Sequence, residues 1–178
     1  MDKSKIIPSI VRLDQIPVAV QSQCERVNLM AGNINTLGEL NERLRSSGKQ
    51  VYIHIDMIGG LGRDKEAVTF VVEKLGVSGI ITTKAHLIVA AKTLHCRCVQ
   101  RIFAIDTAAL QTSFKLIEKH EPDEIELMPG LMPDVIRIAK SHTQKTLITG
   151  GLIRSERQVE QALASGADYV STGYEALW

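Results

Sequence analysis

Three stretches of this chain repeat one design: "FVVEKLGVSGIITTK", "FKLIEKHEPDEIELMPG" and "VEQALASGADYVSTG" each run from an amphipathic helix end through a short polar turn into a brief apolar strand. That is an αβ unit, and its recurrence dictates helices alternating with parallel strands. In the last copy Val159, Ala162 and Leu163 share a helical face, Gly166 is suited to end the helix, and Tyr169 and Val170 begin the next strand. Candidate strands fall near 6–12, 26–31, 51–56, 78–83, 98–105, 124–128, 146–150 and 168–172. Eight strands in this order predict an α/β fold, a compact (β/α)8 barrel of the TIM type, as one domain over residues 1–178.

Such barrels run to about 250 residues, so the units here are tight. Only Tyr174–Trp178 follow the eighth strand, which predicts a shortened or missing last helix. A short helix, the N-terminal arm or a second subunit would then cover the apolar surface beside the first strand, and a homo-oligomer fits that need. An open doubly wound sheet is the competing architecture. It would carry a glycine fingerprint after its first strand, where this chain has Val11-Arg12-Leu13-Asp14.

Charge excludes a strong non-specific field: 21 Lys and Arg stand against 20 Asp and Glu, so any polyanion must be held by a local patch. Pro8, Arg12, Asp14 and Pro17 break the N-terminal segment before it reaches the length of a signal peptide. No run approaches a membrane span. The three cysteines make no disulfide framework, which suits a reducing compartment and a cytoplasmic location.

In a (β/α)8 barrel the loops after strands seven and eight often form a phosphate site at the carboxyl rim. Gly150, Gly151, Ser171, Thr172 and Gly173 sit at those two places. Glycine lets backbone N–H groups approach an anion, and a following helix N-terminus adds positive potential. Ser155 is placed to cap that helix, with Gln158 as its reciprocal partner. The two turns read as halves of one phosphate cradle.

Charged residues at other strand ends, Arg12, Asp56, Lys84, Asp106 and Glu126, would line the mouth, and carboxylates there would accept hydrogen bonds from a polyol. Each has a plainer reading. Lys84 suits a solvent-facing helix start, Asp106 before Thr107 suits an N-cap, and Glu126 suits an ion pair. The phase of "VQRIFAID" stays open, because Arg101 and Asp106 fall on opposite faces of an unbroken strand. His54 reads as a hydrogen-bonded core histidine. Cys96-x-Cys98 lacks a second ligand pair, so no metal and no cofactor are expected. Gly59-Gly60-Leu61-Gly62 lacks the Lys-Ser/Thr of a nucleotide loop and reads as a mobile flap.

Taken together, "HIDMIGGLG", "GIITTK", "QRIFAIDTAAL", "KHEPDEIELMPGLMP", "TGGLIRS" and the terminal "ALW" resemble the glycerol uptake operon antiterminator regulatory proteins of bacteria. The resemblance extends from Ile7 to Trp178. It implies a protein that responds to glycerol 3-phosphate as effector and binds the leader mRNA of glycerol-utilisation operons to prevent termination. No RNA-binding module is visible, with 4% aromatic residues. Arg63, Lys65, Arg154 and Arg157 are the candidate RNA contacts, and Arg43, Arg45, Arg97 and Arg101 add further scattered cations. The competing function is an enzyme on a phosphorylated triose or sugar, of isomerase, aldolase or decarboxylase type, with Lys84 as a Schiff-base or acid/base group and Asp56 as its partner.

Overall fold

The computed structural model describes residues 2–178. Eight parallel strands, β1 (Ile6–Ile10), β2 (Arg26–Leu29), β3 (Gln50–His54), β4 (Gly79–Thr82), β5 (Arg97–Phe103), β6 (Glu124–Met128), β7 (Thr146–Gly150) and β8 (Tyr169–Thr172), pair in sequence order. They close into a barrel through β1 and β8. Seven helices follow the first seven strands: α1 (Ile16–Gln21), α2 (Leu37–Ser46), α3 (Lys65–Thr69), α4 (Ala85–Thr93), α5 (Thr107–His120), α6 (Pro133–Ser141) and α7 (Glu156–Ala164). A π-helical turn, Phe70–Lys74, prolongs α3.

Side chains on each strand alternate between two hydrophobic compartments. One face packs outward on the helices, as Ile53, Ile80 and Leu147 do. The other forms a small inner cluster of Ile7, Tyr52, Ile81, Val99, Ile148 and Tyr169. Gly79 makes the inner cluster possible: a Cβ there would lie 2.3 Å from the Tyr52 ring. Continuing the inward parity toward the carboxyl ends, the register brings Ser9, Asn28, His54, Arg101, Glu126 and Ser171 into the barrel. The upper half of the interior is therefore polar, while the middle is apolar.

Five strands stop earlier than the sequence suggests, β2 at Leu29 and β4 at Thr82 among them. β1 ends at Ile10 because Gln15 Oε1 accepts from the amides of Val11 and Arg12, at 2.8 and 3.1 Å, and removes them from the ladder. β3 ends at His54, where the chain turns into a 3-10 segment, Ile55–Met57. β5 ends at Phe103, three residues before Asp106.

Among the described residues no eighth α-helix forms. A 3-10 turn, Glu175–Leu177, ends in buried Trp178, whose indole N–H donates to the Thr172 carbonyl at 2.8 Å. Lys3 Nζ reaches the carbonyl oxygens of Leu177 and Trp178, so the N-terminal arm and the C-terminal turn cover this seam together. Among the described residues no helix is long and apolar enough to cross a membrane.

Candidate functional site

The loops after β7 and β8 lie side by side at the carboxyl rim, joined by Thr172. Its hydroxyl donates to the Ile153 carbonyl at 2.9 Å and accepts from the Tyr174 amide at 3.1 Å. Ser155 caps α7 and exchanges hydrogen bonds with Gln158, whose Oε1 takes the amides of Arg154 and Ser155. Among the described residues, nothing accepts from the N–H groups of Gly151, Leu152 or Gly173. Gly151 and Leu152 both hold positive φ, 77° and 64°, and Leu152 is two-thirds exposed. A non-glycine residue kept there stores strain of the kind that marks functional loops.

The five cradle residues divide by role. Gly151 and Gly173 offer open donors. Gly150 serves packing: a Cβ on it would lie 2.0 Å from Ser171 Oγ, and its carbonyl accepts from the Gly130 amide. Ser171 faces inward and donates to Glu126 at 2.6 Å. Thr172 positions the two loops.

The charged lining converges less than the sequence suggests. Glu126 is fully buried and ion-paired with Arg101, whose Nε lies 2.7 Å from Oε2. Asp56 sits at the rim, but Thr82 Oγ1, Thr83 N and Thr83 Oγ1 all donate to it within 2.8 Å. Burial alone would raise its pKa, yet those bonds from Thr83 and Thr82 hold it below the usual carboxylate value. Its oxygens bind the β4–α4 turn, so it is a strut of the rim. Arg12 is exposed and paired with Asp14 and Glu175. Asp106 caps α5 by accepting from the Ala109 amide at 2.7 Å and lines a groove of about 360 Å³ between α5 and α6. Lys84 precedes α4, half-buried, and among the described residues its ammonium makes no ion pair. Among the described residues no hydrogen bond or ion pair joins Lys84 to Asp56.

Beneath the rim lies a polar layer that the sequence reveals only in part. Among the described residues, Ser9 Oγ, both amide atoms of Asn28 and both ring nitrogens of His54 are buried without a hydrogen-bond partner. A buried polar atom left unpaired costs about 1–3 kcal/mol, and folded proteins tolerate few. Three such side chains lie on the neighbouring strands β1, β2 and β3. Burial first, and then the Arg101 charge, lower the pKa of His54 to about 4, against opposing pulls from Asp56 and Glu126. The imidazole is neutral at physiological pH. Arg101 spends Nε on Glu126, whereas Nη2 and Nη1 reach only the sulfurs of Met30 and Met57, at 3.3 and 3.9 Å. Thioether sulfur is a weak acceptor, so the end of this guanidinium keeps its donor capacity.

The sequence signal for these residues is parity. Ser9, Asn28 and His54 each lie two residues beyond an inward-facing position, or pair in register with one. Arg101 is indeterminate by that signal, because the sequence does not show that β5 stops at Phe103, after which Asp106 has left the sheet.

The Gly59–Gly62 loop is tied down, not a free flap: Gly59 bonds to Gly32 and Ile34, Leu61 is buried, and His86 meets the Arg63 carbonyl at 3.0 Å. Cys98 donates to Asp123, and burial pushes its thiol up to about 12. Among the described residues no three His, Cys, Asp or Glu side chains gather as metal ligands. Arg63, Lys65, Arg154 and Arg157 are all exposed, in the β3–α3 and β7–α7 regions. At the opposite end of the barrel a cavity of about 950 Å³ is lined by Arg26, Tyr52, Arg97 and Glu124. Both arginines pair with Glu124 there, at the end of such barrels that serves stability.

Comparisons with known proteins converge on one family. The family model described as glycerol-3-phosphate responsive antiterminator matches residues 6–178. A crystal structure of a glycerol uptake operon antiterminator regulatory protein from Listeria monocytogenes superposes with a TM-score of 0.95 at 31% identity, covering 100% of this chain and 96% of that one. A glycerol uptake operon antiterminator-related protein from Thermotoga maritima superposes with a TM-score of 0.87, also at 31% identity, over 98% of both chains. The Escherichia coli K12 protein YgcP is 27% identical over 176 residues, 99% of this chain and 92% of its own length.

Proposed function

This chain belongs to the glycerol-3-phosphate responsive antiterminator family, a regulatory family and not an enzyme family, and we propose how it meets its effector and its RNA. Glycerol 3-phosphate binds at the carboxyl rim. Its phosphate takes the open N–H groups of Gly151, Leu152 and Gly173, and its glycerol tail points down toward Arg101, Ser171 and the unpaired groups of Ser9, Asn28 and His54. The observation that carries this reading is the coincidence of unbonded rim amides with an unsatisfied polar layer beneath them. Amides supply the anion with fixed partial charge, and the layer beneath supplies donors and acceptors for hydroxyls.

Leader mRNA of glycerol-utilisation operons is the second partner, in the cytoplasm. The exposed rim cations Arg63, Lys65, Arg154 and Arg157 support contact at the same end as the effector. Arg154 and Arg157 flank the α7 N-terminus, directly after the loop that carries Gly151.

Gly173→Asp tests the cradle. A Cβ at Gly173 meets its nearest neighbour, the Ser9 carbonyl, at 3.4 Å, an ordinary contact, so the fold should tolerate the change. The new carboxylate should repel the phosphate. Calorimetric titration is expected to show glycerol 3-phosphate affinity lowered by about 100-fold or more, with an unchanged melting temperature. Unaltered affinity would place the phosphate elsewhere.

A further inference from the structure

We propose that Glu126 is a charge filter that makes the site select a neutral hydroxyl tail over a carboxylate tail. The inference rests on the placement of the effector given above and goes on to name what the site rejects. Arg101 and Glu126 are both almost wholly buried, 7% and 0% exposed, and are bonded at 2.7 Å. Their charges cancel. Within this layer His54 is neutral, and Asp56, at the rim, is an anion that already holds three donors.

Into this layer a hydroxyl fits from either side. It can accept from Arg101 Nη1 or Nη2 in place of the methionine sulfurs, and it can donate to Glu126, to Asn28 Oδ1 or to an unprotonated nitrogen of His54. A carboxylate can only accept. It gains the same guanidinium, but it brings a second negative charge beside Glu126 in a buried place, where like charges repel strongly. Ser171 extends the effect, because its hydroxyl proton is committed to Glu126 and is not free for an incoming anion.

The matched probes are glycerol 3-phosphate and glycerate 3-phosphate, which share the phosphate and differ by a primary alcohol against a carboxylate. Calorimetry on the wild-type chain should give a preference for the alcohol of about tenfold or more. In Glu126→Gln the preference should shrink by at least about tenfold, mainly through tighter binding of glycerate 3-phosphate, as Arg101 gains an unneutralised charge. Equal wild-type affinities overturn the filter without any variant, so the claim stays exposed even if Glu126→Gln fails to fold. An unchanged ratio in a folded Glu126→Gln also overturns it. Gly173→Asp separates the two readings: if both ligands bind the wild type and neither is weakened by Gly173→Asp, the rim placement itself is wrong, and the filter falls with it.

Discussion

His54 shows how much a single residue's surroundings decide. In "VYIHID" it reads as an ordinary core histidine, and a core histidine normally bonds through at least one ring nitrogen. Here neither nitrogen has a partner, and burial beside Arg101 lowers its pKa to about 4. The sign of the pH effect follows. An unfolded chain protonates His54 near 6.5 and the folded chain only near 4, so the unfolded state binds the extra proton between those values. Stability is unaffected by His54 above about pH 6.5, falls as the pH drops from there, and reaches its full loss below about pH 4, a loss on the order of 3 kcal/mol. Urea unfolding of the wild type and His54→Gln between pH 7 and pH 4 should show the variant losing less stability by that amount. Parallel pH profiles would mean that the imidazole titrates normally in the fold.

Among the elements, α7 is the most legible. Ser155 and Gln158 form the reciprocal cap that their spacing predicts, and Gly166, at φ 108°, ends the helix. Because Gln158 takes the amides of Arg154 and Ser155, it also fixes where the β7–α7 loop gives up its open donors. Gln158→Ala should destabilise the protein by about 1 kcal/mol, read as a lower urea midpoint at constant slope. A midpoint unchanged within error would mean that the cap adds nothing to stability. Strands are legible as elements because apolar runs and turns repeat, and the extents of β6 and β7 match the apolar runs directly. Their ends are less legible where a distant side chain decides them. Gln15 stops β1 by taking two amides, and the Thr82–Thr83 corner captures Asp56 across 26 residues of sequence. Local pattern cannot reveal such contacts, which is why Arg12, Asp56 and Asp106 read as mouth residues in the sequence and stand in the fold as a surface ion pair, a strut and a helix cap.

At the scale of the whole molecule, the barrel brings the proposed effector and RNA contacts to one end. β3 and β7 stand opposite each other in an eight-stranded ring, so Arg63 and Lys65 face Arg154 and Arg157 across the mouth. An effector that binds the RNA-competent state more tightly raises RNA affinity, and RNA then raises effector affinity by the same factor. RNA affinity at fixed salt should rise about fivefold or more with saturating glycerol 3-phosphate. Replacing Arg154 and Arg157 by alanine should flatten the salt slope by about 0.7 for each single-strand phosphate no longer neutralised. A slope unmoved by both changes would shift the RNA to another face. Beneath these expectations stands the cradle of open amides after β7 and β8, and its most direct measurement is an amide proton–nitrogen correlation spectrum recorded during titration with glycerol 3-phosphate. The Gly151, Leu152 and Gly173 amide protons should move downfield together along one saturating curve, with Arg101 Nε–H responding beneath them. Shifts confined to the α5–α6 groove or to the Arg26–Glu124–Arg97 end, with those three amides unmoved, would contradict the account.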